Sequence, residues 1–217
     1  MSYFNLFKRR TVLTSLLLSL WVIVLAIFIV TYIPFIYQMN VSSYGINTHV
    51  GLTNQQIVKA YTTICNYLSI FTFGDLKVPY FHLTKHTLIH FRDCKHLFAF
   101  LWFFFVAGAF TLLYLIYKQY KDRDFSFLKL TVVITILIIV FFGIVAALDF
   151  DDAFVIMHKL LFRNNYWLID CAKDPVIWIF PEQLFDQLLI TILVIIGVVN
   201  ALFLGVYHFY NQKILNH

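Results

Sequence analysis

Long apolar runs dominate the chain and alternate with shorter polar segments. Four of the runs contain roughly 20 residues, enough to cross about 30 Å of hydrocarbon at a helical rise of about 1.5 Å per residue. The runs are residues 12–33, 97–117, 130–148 and 188–210, and apart from His208 near the end of the last run they contain no acidic or basic side chain. The pattern therefore predicts four transmembrane helices.

The polar segments between the runs differ in how densely they carry Lys and Arg. Such residues concentrate in short cytoplasmic segments, and here they concentrate before the first run, as Lys8, Arg9 and Arg10, and between the second and third runs. Residues 1–11, 118–129 and 211–217 are therefore predicted to be cytoplasmic. Residues 34–96 and 149–187 are predicted to be extracellular. The first run is too long for a cleaved signal peptide and reads as an uncleaved signal anchor.

The first extracellular segment, residues 34–96, has the pattern of a small folded domain. Thr53 followed by Gln56 matches a capping box, and apolar residues recur after it at helical spacing. Further along, Gly74 and Asp75 predict a turn, and alternation over Val78–Leu83 predicts a strand of a hairpin. The predicted fold class is a mainly α membrane protein with four transmembrane helices and a small outer-face α+β domain.

Composition supports a membrane protein, because 61% of the residues are hydrophobic and only 12% are charged. The formal net charge of +5 comes from scattered basic residues, which suits an anionic membrane better than a nucleic acid. Three cysteines are too few for a disulfide framework, and a single bridge between Cys94 and Cys171 is left open.

The candidate chemistry lies in two histidines that the topology brings to one side of the membrane. His90 lies seven residues before Leu97, and His158 lies ten residues after Leu148, with two crossings between them. Both are therefore expected near the extracellular boundary, where they can meet. Two imidazoles with neighbouring carboxylates suit proton transfer near neutral pH, because one ring accepts a proton while the other donates.

Other interpretations of these residues remain open. The histidines, with Tyr166, Trp167 and Trp178, could simply be interfacial anchors, because amphipathic rings favour this depth. His86 and His90 have the i, i+4 spacing of zinc ligands, although Thr87 stands where a zinc hydrolase needs its catalytic Glu. The sequence contains no serine-hydrolase elbow, P-loop or dinucleotide-binding fingerprint.

Two ordered motifs resemble those of the bacterial lipoprotein intramolecular transacylases, which are known in Gram-positive bacteria. Residues 90–95 have the pattern His-hydrophobic-x-Asp-hydrophobic-Lys before the second run. Residues 149–182 have the pattern Asp-Phe…Phe-x-x-x-His…Trp…Asp…Pro-Glu after the third run. The resemblance covers nearly the whole chain. This chain departs from the family pattern at Thr87, where an acidic residue is common, and at Cys94, where an aliphatic residue is usual.

The resemblance implies a transfer of the sn-2 acyl chain of a diacylglyceryl lipoprotein to the α-amine of its N-terminal cysteine. His90 and His158 match the family's catalytic histidines, and supporting positions fall on Asp93, Lys95, Asp149, Trp167 and Asp174. The implied partners are diacylated lipoproteins and membrane lipid, and no cofactor or metal is expected. The alternatives are a membrane protein that binds metal or haem through His86, His90 and His158, and a noncatalytic subunit that binds a partner.

Overall fold

The computed structural model describes residues 8–148 and 150–215, which form mostly helices. The helices in this part of the chain are α1 (Arg9–Tyr32), α2 (Phe35–Asn40), α3 (Asn47–Val50), α4 (Asn54–Tyr67), α5 (Lys85–Lys121), α6 (Ser126–Leu148), α7 (Phe150–Phe162), a short 3₁₀ helix (Pro175–Ile179) and α8 (Glu182–Leu215). Four are long and apolar enough to cross a membrane, namely Arg9–Tyr32, Lys85–Lys121, Ser126–Ile144 and Glu182–Gln212. The prediction of four spanning helices is confirmed.

The chain divides into two compact units. The first contains the described residues of Met1–Ala26, Phe103–Phe150 and Ile192–His217, and the second contains Ile27–Trp102 and Asp151–Thr191. The first unit therefore consists mainly of the predicted spans. The second unit contains both predicted extracellular segments, apart from the first two residues of the second segment.

Polar side chains and one glycine join the helices of the first unit. The Ser15 hydroxyl donates to the Phe127 carbonyl at 3.0 Å, and the Ser19 hydroxyl donates to the Thr131 carbonyl at 3.1 Å. A Cβ at Gly108 would lie only 3.2 Å from Trp21, so a small residue is needed for this close approach. Small residues and hydroxyl bonds are typical of helix packing in lipid, where apolar burial provides no driving force.

Helix α4 forms the centre of the second unit. The Thr53 side chain and the Gln56 side chain cap its first turn reciprocally, which confirms the predicted capping box. Its buried face includes Ile57 and Tyr61, and the Tyr61 ring stacks on Tyr37 with centroids 3.8 Å apart. The Tyr37 hydroxyl in turn donates to the Ile179 carbonyl at 2.9 Å. This core joins residues 34–96 to residues 149–187, the two segments predicted to be extracellular.

The prediction of a hairpin and an α+β domain is wrong. Among the described residues no strand is present, and Val78–Leu83 consists of turns and irregular backbone. Pro79 lacks the N–H that a strand ladder needs, and Tyr80 has a φ of 68°, which is incompatible with a strand. The apolar alternation instead reflects burial, because Val78 packs into the core around α4 and Phe81 and Leu83 pack against it.

Helix α5 changes character along its 37 residues. Its first three turns, residues 85–96, carry Lys, His, Arg and Asp side chains, whereas residues 97–117 contain no charge. A helix of this length measures about 55 Å, much more than the hydrocarbon thickness of about 30 Å. The polar part therefore precedes the predicted span, and it carries His90.

Candidate active site

His90 and His158 lie side by side in the second unit. His90 projects from α5 and His158 from α7, and their ring centroids are 6.1 Å apart with an angle of 35° between the planes. The rings are tilted and do not stack on each other. At this distance both can contact a single group placed between them. The predicted encounter of these two side chains is thus present in the structure.

A backbone hydrogen bond determines which nitrogen of His158 carries hydrogen. Its Nδ1 lies 2.8 Å from the Phe154 carbonyl oxygen. A carbonyl oxygen can only accept, so Nδ1 must be the donor, and the Nε2 of the neutral ring is left with a free lone pair. The side chain of His158 is only 8% exposed. His158 is therefore oriented as a proton acceptor in a site that excludes most solvent.

Aromatic rings surround both imidazoles. The His158 ring lies 3.9 Å from Phe154, 4.9 Å from Trp167 and 5.6 Å from Phe162, measured between centroids. The Phe162 ring also lies edge-on to His90 at 5.0 Å. Phe154, Phe162 and Trp167 thus form an aromatic wall. The wall limits the space for a ligand between the histidines and makes their surroundings weakly polar.

The weakly polar surroundings favour neutral imidazoles. Burial lowers the pKa of His158 below its ordinary value of 6.5, although the bond to Phe154 opposes the shift. Burial also lowers the pKa of His90, with a further contribution from the neighbouring His158, while the Asp93 carboxylate acts in the opposite direction. Both rings are therefore neutral at physiological pH, which is the form that accepts protons.

Asn164 links two of the predicted supporting residues. Its side-chain amide donates to the Asp93 carboxylate at 2.9 Å, and its backbone carbonyl accepts a hydrogen bond from the Trp167 indole at 2.8 Å. Asp93 belongs to α5 and Trp167 contacts His158, so this connection fixes the aromatic wall relative to the helix that carries His90. Sequence reasoning missed Asn164. The only local signal is the polar Arg163-Asn164-Asn165 run where α7 ends.

Asp174 lies at the start of α5 rather than beside the imidazoles. Its side chain is 3% exposed, and its carboxylate accepts from the Thr84 backbone N–H at 2.7 Å and from the Thr84 hydroxyl at 2.6 Å. The Thr84 carbonyl accepts the first helical bond of α5, from Leu88. Asp174 therefore fixes the end of α5 six residues before His90.

Lys95 binds the loop that follows α4. Its ammonium group donates to the Thr72 carbonyl and lies 4.3 Å above the centroid of the Tyr67 ring. These contacts give Lys95 a structural partner on a different side of α5 from the one that carries His90 and Cys94. Asp149, the remaining supporting residue predicted from the sequence, lies outside the described residues.

Comparison with known proteins bears on the identity of the site. A family model described as lipoprotein intramolecular transacylase Lit matches residues 12–185. The chain belongs to this family. No curated protein matches the chain. The sequence-based prediction of the family is thereby confirmed.

Solved structures of the membrane integral lipoprotein intramolecular transacylase Lit from Bacillus cereus are similar to this chain. One is 26% identical, with a TM-score of 0.90, and covers 96% of this chain and 97% of that chain. A second carries a histidine-to-arginine mutation, is 26% identical with a TM-score of 0.86, and covers 94% and 91% of the two chains. A third carries a histidine-to-alanine mutation, with 26% identity, a TM-score of 0.88 and coverage of 96% and 94%.

Cys94 and His86 belong to α5, like His90, and bear on the disulfide and the metal site that the sequence left open. In this member of the transacylase family, the Cys94 thiol lies 3.6 Å from Nε2 of His90 and is free, as are Cys65 and Cys171. His86 lies edge-on to the Tyr166 ring at 4.9 Å. Among residues 8–148 and 150–215, no group of three or more His, Cys, Asp or Glu side chains is arranged to hold a metal ion.

Proposed function

We propose that this chain moves the sn-2 acyl chain of a diacylglyceryl lipoprotein to the α-amine of the lipid-bearing cysteine, giving the lyso-form. The observation that carries the proposal is the pairing of His90 with His158, whose Nε2 is left as an acceptor by the bond to Phe154. Family membership supports the same activity. The substrate is thus a diacylated lipoprotein, and the protein acts as an acyltransferase.

The reaction needs only proton transfer and positioning from the protein. The amine nitrogen attacks the ester carbonyl, so a C–N bond forms and the C–O bond to the glycerol breaks. His158 takes the proton from the amine and later gives it to the departing glycerol oxygen. His90 donates a ring N–H to the carbonyl oxygen, which becomes negative in the tetrahedral intermediate. The proton balance closes without another reactant.

Confinement by the aromatic wall suits an intramolecular transfer. Both reacting groups belong to one substrate molecule, so the protein has to select a folded conformation in which the amine faces the ester. Well-oriented groups of this kind react with effective concentrations of about 10⁵–10⁸ M. Phe154, Phe162 and Trp167 restrict the space around the histidines and favour such a compact conformation.

Mass spectrometry of a lipoprotein substrate tests the activity. Purified protein is incubated with a synthetic diacylglyceryl lipopeptide, and the product is fragmented to locate each acyl chain. We expect an unchanged total mass with one acyl chain moved from glycerol to the cysteine nitrogen. Two results would contradict the proposal: a product that has lost an acyl chain, or a lipopeptide that the wild-type protein leaves unchanged.

The catalytic side is proposed to face outward. The support is the concentration of Lys and Arg in the segments 1–11 and 118–129, which predicts that those segments are cytoplasmic. In a Cys171→Ser background, a cysteine at the exposed position Gln55 should react with a membrane-impermeant maleimide in intact cells. A cysteine at the exposed position Arg123 should react only after the membrane is permeabilised. The opposite labelling pattern would reverse the orientation.

The pH dependence of the rate follows from the neutral histidine. An α-amine has a pKa of about 7.7–8.0, so the fraction ready to attack rises with pH up to about 8. Because burial lowers the pKa of His158 below 6.5, His158 is mostly in its accepting form at neutral and higher pH and becomes protonated in acidic solution. We expect kcat to increase from pH 6 to 8 and then level off. A rate that increases as pH falls from 7 to 5 would contradict this assignment.

A further inference from the structure

An unusually apolar loop follows α4 in the second unit. Residues 69–73 form turns and irregular backbone, and their three apolar side chains are exposed: Phe71 by 72%, Phe73 by 89% and Ile70 by 37%. Aromatic rings this exposed are unfavourable in water, at about 25 cal/mol per Å² of apolar surface. The loop belongs to a segment that the sequence predicts to be extracellular, so its surroundings need a physical explanation.

Contacts of Phe71 place the loop at the depth of the membrane-spanning helices. The Phe71 ring lies edge-on to Trp102 at 5.7 Å, and Trp102 stacks on Phe28 at 4.6 Å. Trp102 is five residues after Leu97, where the second predicted span begins, and Phe28 is five residues before Ile33, where the first ends. At a rise of about 1.5 Å per residue, both positions lie about 7.5 Å inside the hydrocarbon.

Trp102 and Phe28 belong to two separate apolar runs, and each run by itself gives the same depth. The Trp102 indole also donates to the Tyr32 hydroxyl at 3.2 Å, one residue before the end of the first predicted span. Tyrosine hydroxyls favour the membrane boundary. Phe71 therefore contacts the ring that lies just below that boundary.

Several polar groups of the loop have hydrogen-bond partners within the second unit. The Thr72 hydroxyl donates to the Asn66 carbonyl at 2.7 Å, and the backbone N–H groups of Phe71 and Thr72 donate to the Ser69 hydroxyl and carbonyl, each at 3.2 Å. A loop can enter lipid only if its backbone groups find such partners, since hydrocarbon offers none. The hydrogen bonds of Phe71 and Thr72 lower the cost of placing the exposed rings of Phe71 and Phe73 in lipid.

Lys95, which belongs to α5, supplies a partner for the Thr72 carbonyl of the loop. Its ammonium donates to Thr72, while the Tyr67 ring covers the charge at 4.3 Å. Lys95 lies two residues before Leu97, at the predicted boundary, so its long stem can lie along apolar surface while its head stays among polar groups.

We propose that residues 69–73 form a membrane-inserted loop whose partner is the acyl-chain region of the lipid bilayer, and that Lys95 holds the loop in this position. The inference depends on the predicted spans and does not depend on the proposed acyl transfer. Its consequence is mechanical. The loop inserts into lipid on one side of α5. This contact sets the depth of α5 in the bilayer, and with it the depth of His90 relative to the glycerol backbone of neighbouring lipids.

Spin labelling measures the depth directly. A nitroxide is attached to Phe73→Cys in a Cys171→Ser background, the protein is placed in phosphatidylcholine and phosphatidylglycerol vesicles, and power saturation is recorded with oxygen and with a water-soluble nickel chelate. Phe73 is exposed, so the label leaves the core unchanged. A label at the exposed Thr48 of the same unit is the matched control. We expect the Phe73 label to collide more with oxygen and the Thr48 label more with nickel.

Each other outcome overturns a defined part of the proposal. Preferential collision with nickel at Phe73 would place the loop in water. Low accessibility to both reagents would indicate that protein, such as a second copy of the chain, covers the loop instead of lipid. Lys95→Met should make the Phe73 label more mobile and shallower, whereas Lys95→Arg should preserve both values. Unchanged depth and mobility in Lys95→Met would remove Lys95 from the proposal.

Discussion

Alanine at either His90 or His158 is expected to lower kcat for lipopeptide transacylation by about 10²–10⁴-fold, the usual contribution of a positioned acid or base. The expectation follows from the geometry, in which the two ring centroids lie 6.1 Å apart and leave room for one reacting group between them. The double variant should lose little more than either single variant, because members of one catalytic unit are strongly non-additive. The rate is measured by quantifying the N-acyl product by mass spectrometry.

A more conservative variant separates chemistry from folding. In His158→Asn, the side-chain amide can replace Nδ1–H as the donor to the Phe154 carbonyl, but nothing replaces Nε2. This variant should therefore keep the thermal stability of the wild-type protein and still lose activity. His96→Ala, which changes an exposed histidine of α5, the helix that carries His90, is the control and should retain most of the activity. His86→Ala should behave similarly.

Full activity in either His90→Ala or His158→Ala would remove the pair from the mechanism. Full activity in both would favour the interpretation of these rings as interfacial anchors. Inactivation that zinc reverses after treatment with a chelator would instead support the metal-binding alternative. The noncatalytic alternative predicts no conversion of lipopeptide by any variant, including the wild-type protein.

The meeting of His90 and His158 could be predicted because a membrane limits the possible arrangements. Residues near the same ends of spans must share a side and a depth, so counting the crossings between them was sufficient. The orientation of the His158 ring could not be predicted. It depends on a rotamer that brings Nδ1 to the Phe154 carbonyl, and a sequence contains no rotamer information.

Contacts that join distant segments were also beyond sequence reasoning. Asn164 pairs with Asp93 across 71 positions, and nothing in the local sequence indicates where the chain after α7 folds back. The predicted strand failed for a related reason. Alternating apolar residues indicate alternating burial. Val78 is buried in the core around α4, and Phe81 and Leu83 pack against that core, so the pattern did not require a neighbouring strand.

The second large effect is expected for Asp174→Ala, although this side chain lies outside the histidine pair. Asp174 accepts two hydrogen bonds from Thr84 at 2.7 and 2.6 Å and is almost fully buried. Hydrogen bonds to a charged group contribute about 1.5–3 kcal/mol each, so we expect a loss of about 3 kcal/mol of stability. Thermal unfolding in detergent should show a clearly lower Tm.

The loss should extend to activity, because Thr84 accepts the first helical bond of the helix that carries His90. Activity measured well below the Tm should therefore decrease as well, through kcat rather than KM, as the His90 ring loses its fixed position relative to His158. Asp174→Asn keeps one acceptor oxygen, and the Thr84 hydroxyl can accept from the new amide, so this variant should retain most of the stability.

A double-mutant cycle with Thr84→Val tests whether the two residues act through each other. Thr84→Val removes the hydroxyl donor, so once Asp174 is already alanine this second change should cost much less than it costs alone. Asp170→Ala, which removes an exposed carboxylate four residues earlier, is the control and should leave both Tm and kcat close to the wild-type values. Additive losses in the cycle, or normal kcat in Asp174→Ala, would show that Asp174 does not position the start of α5 for catalysis.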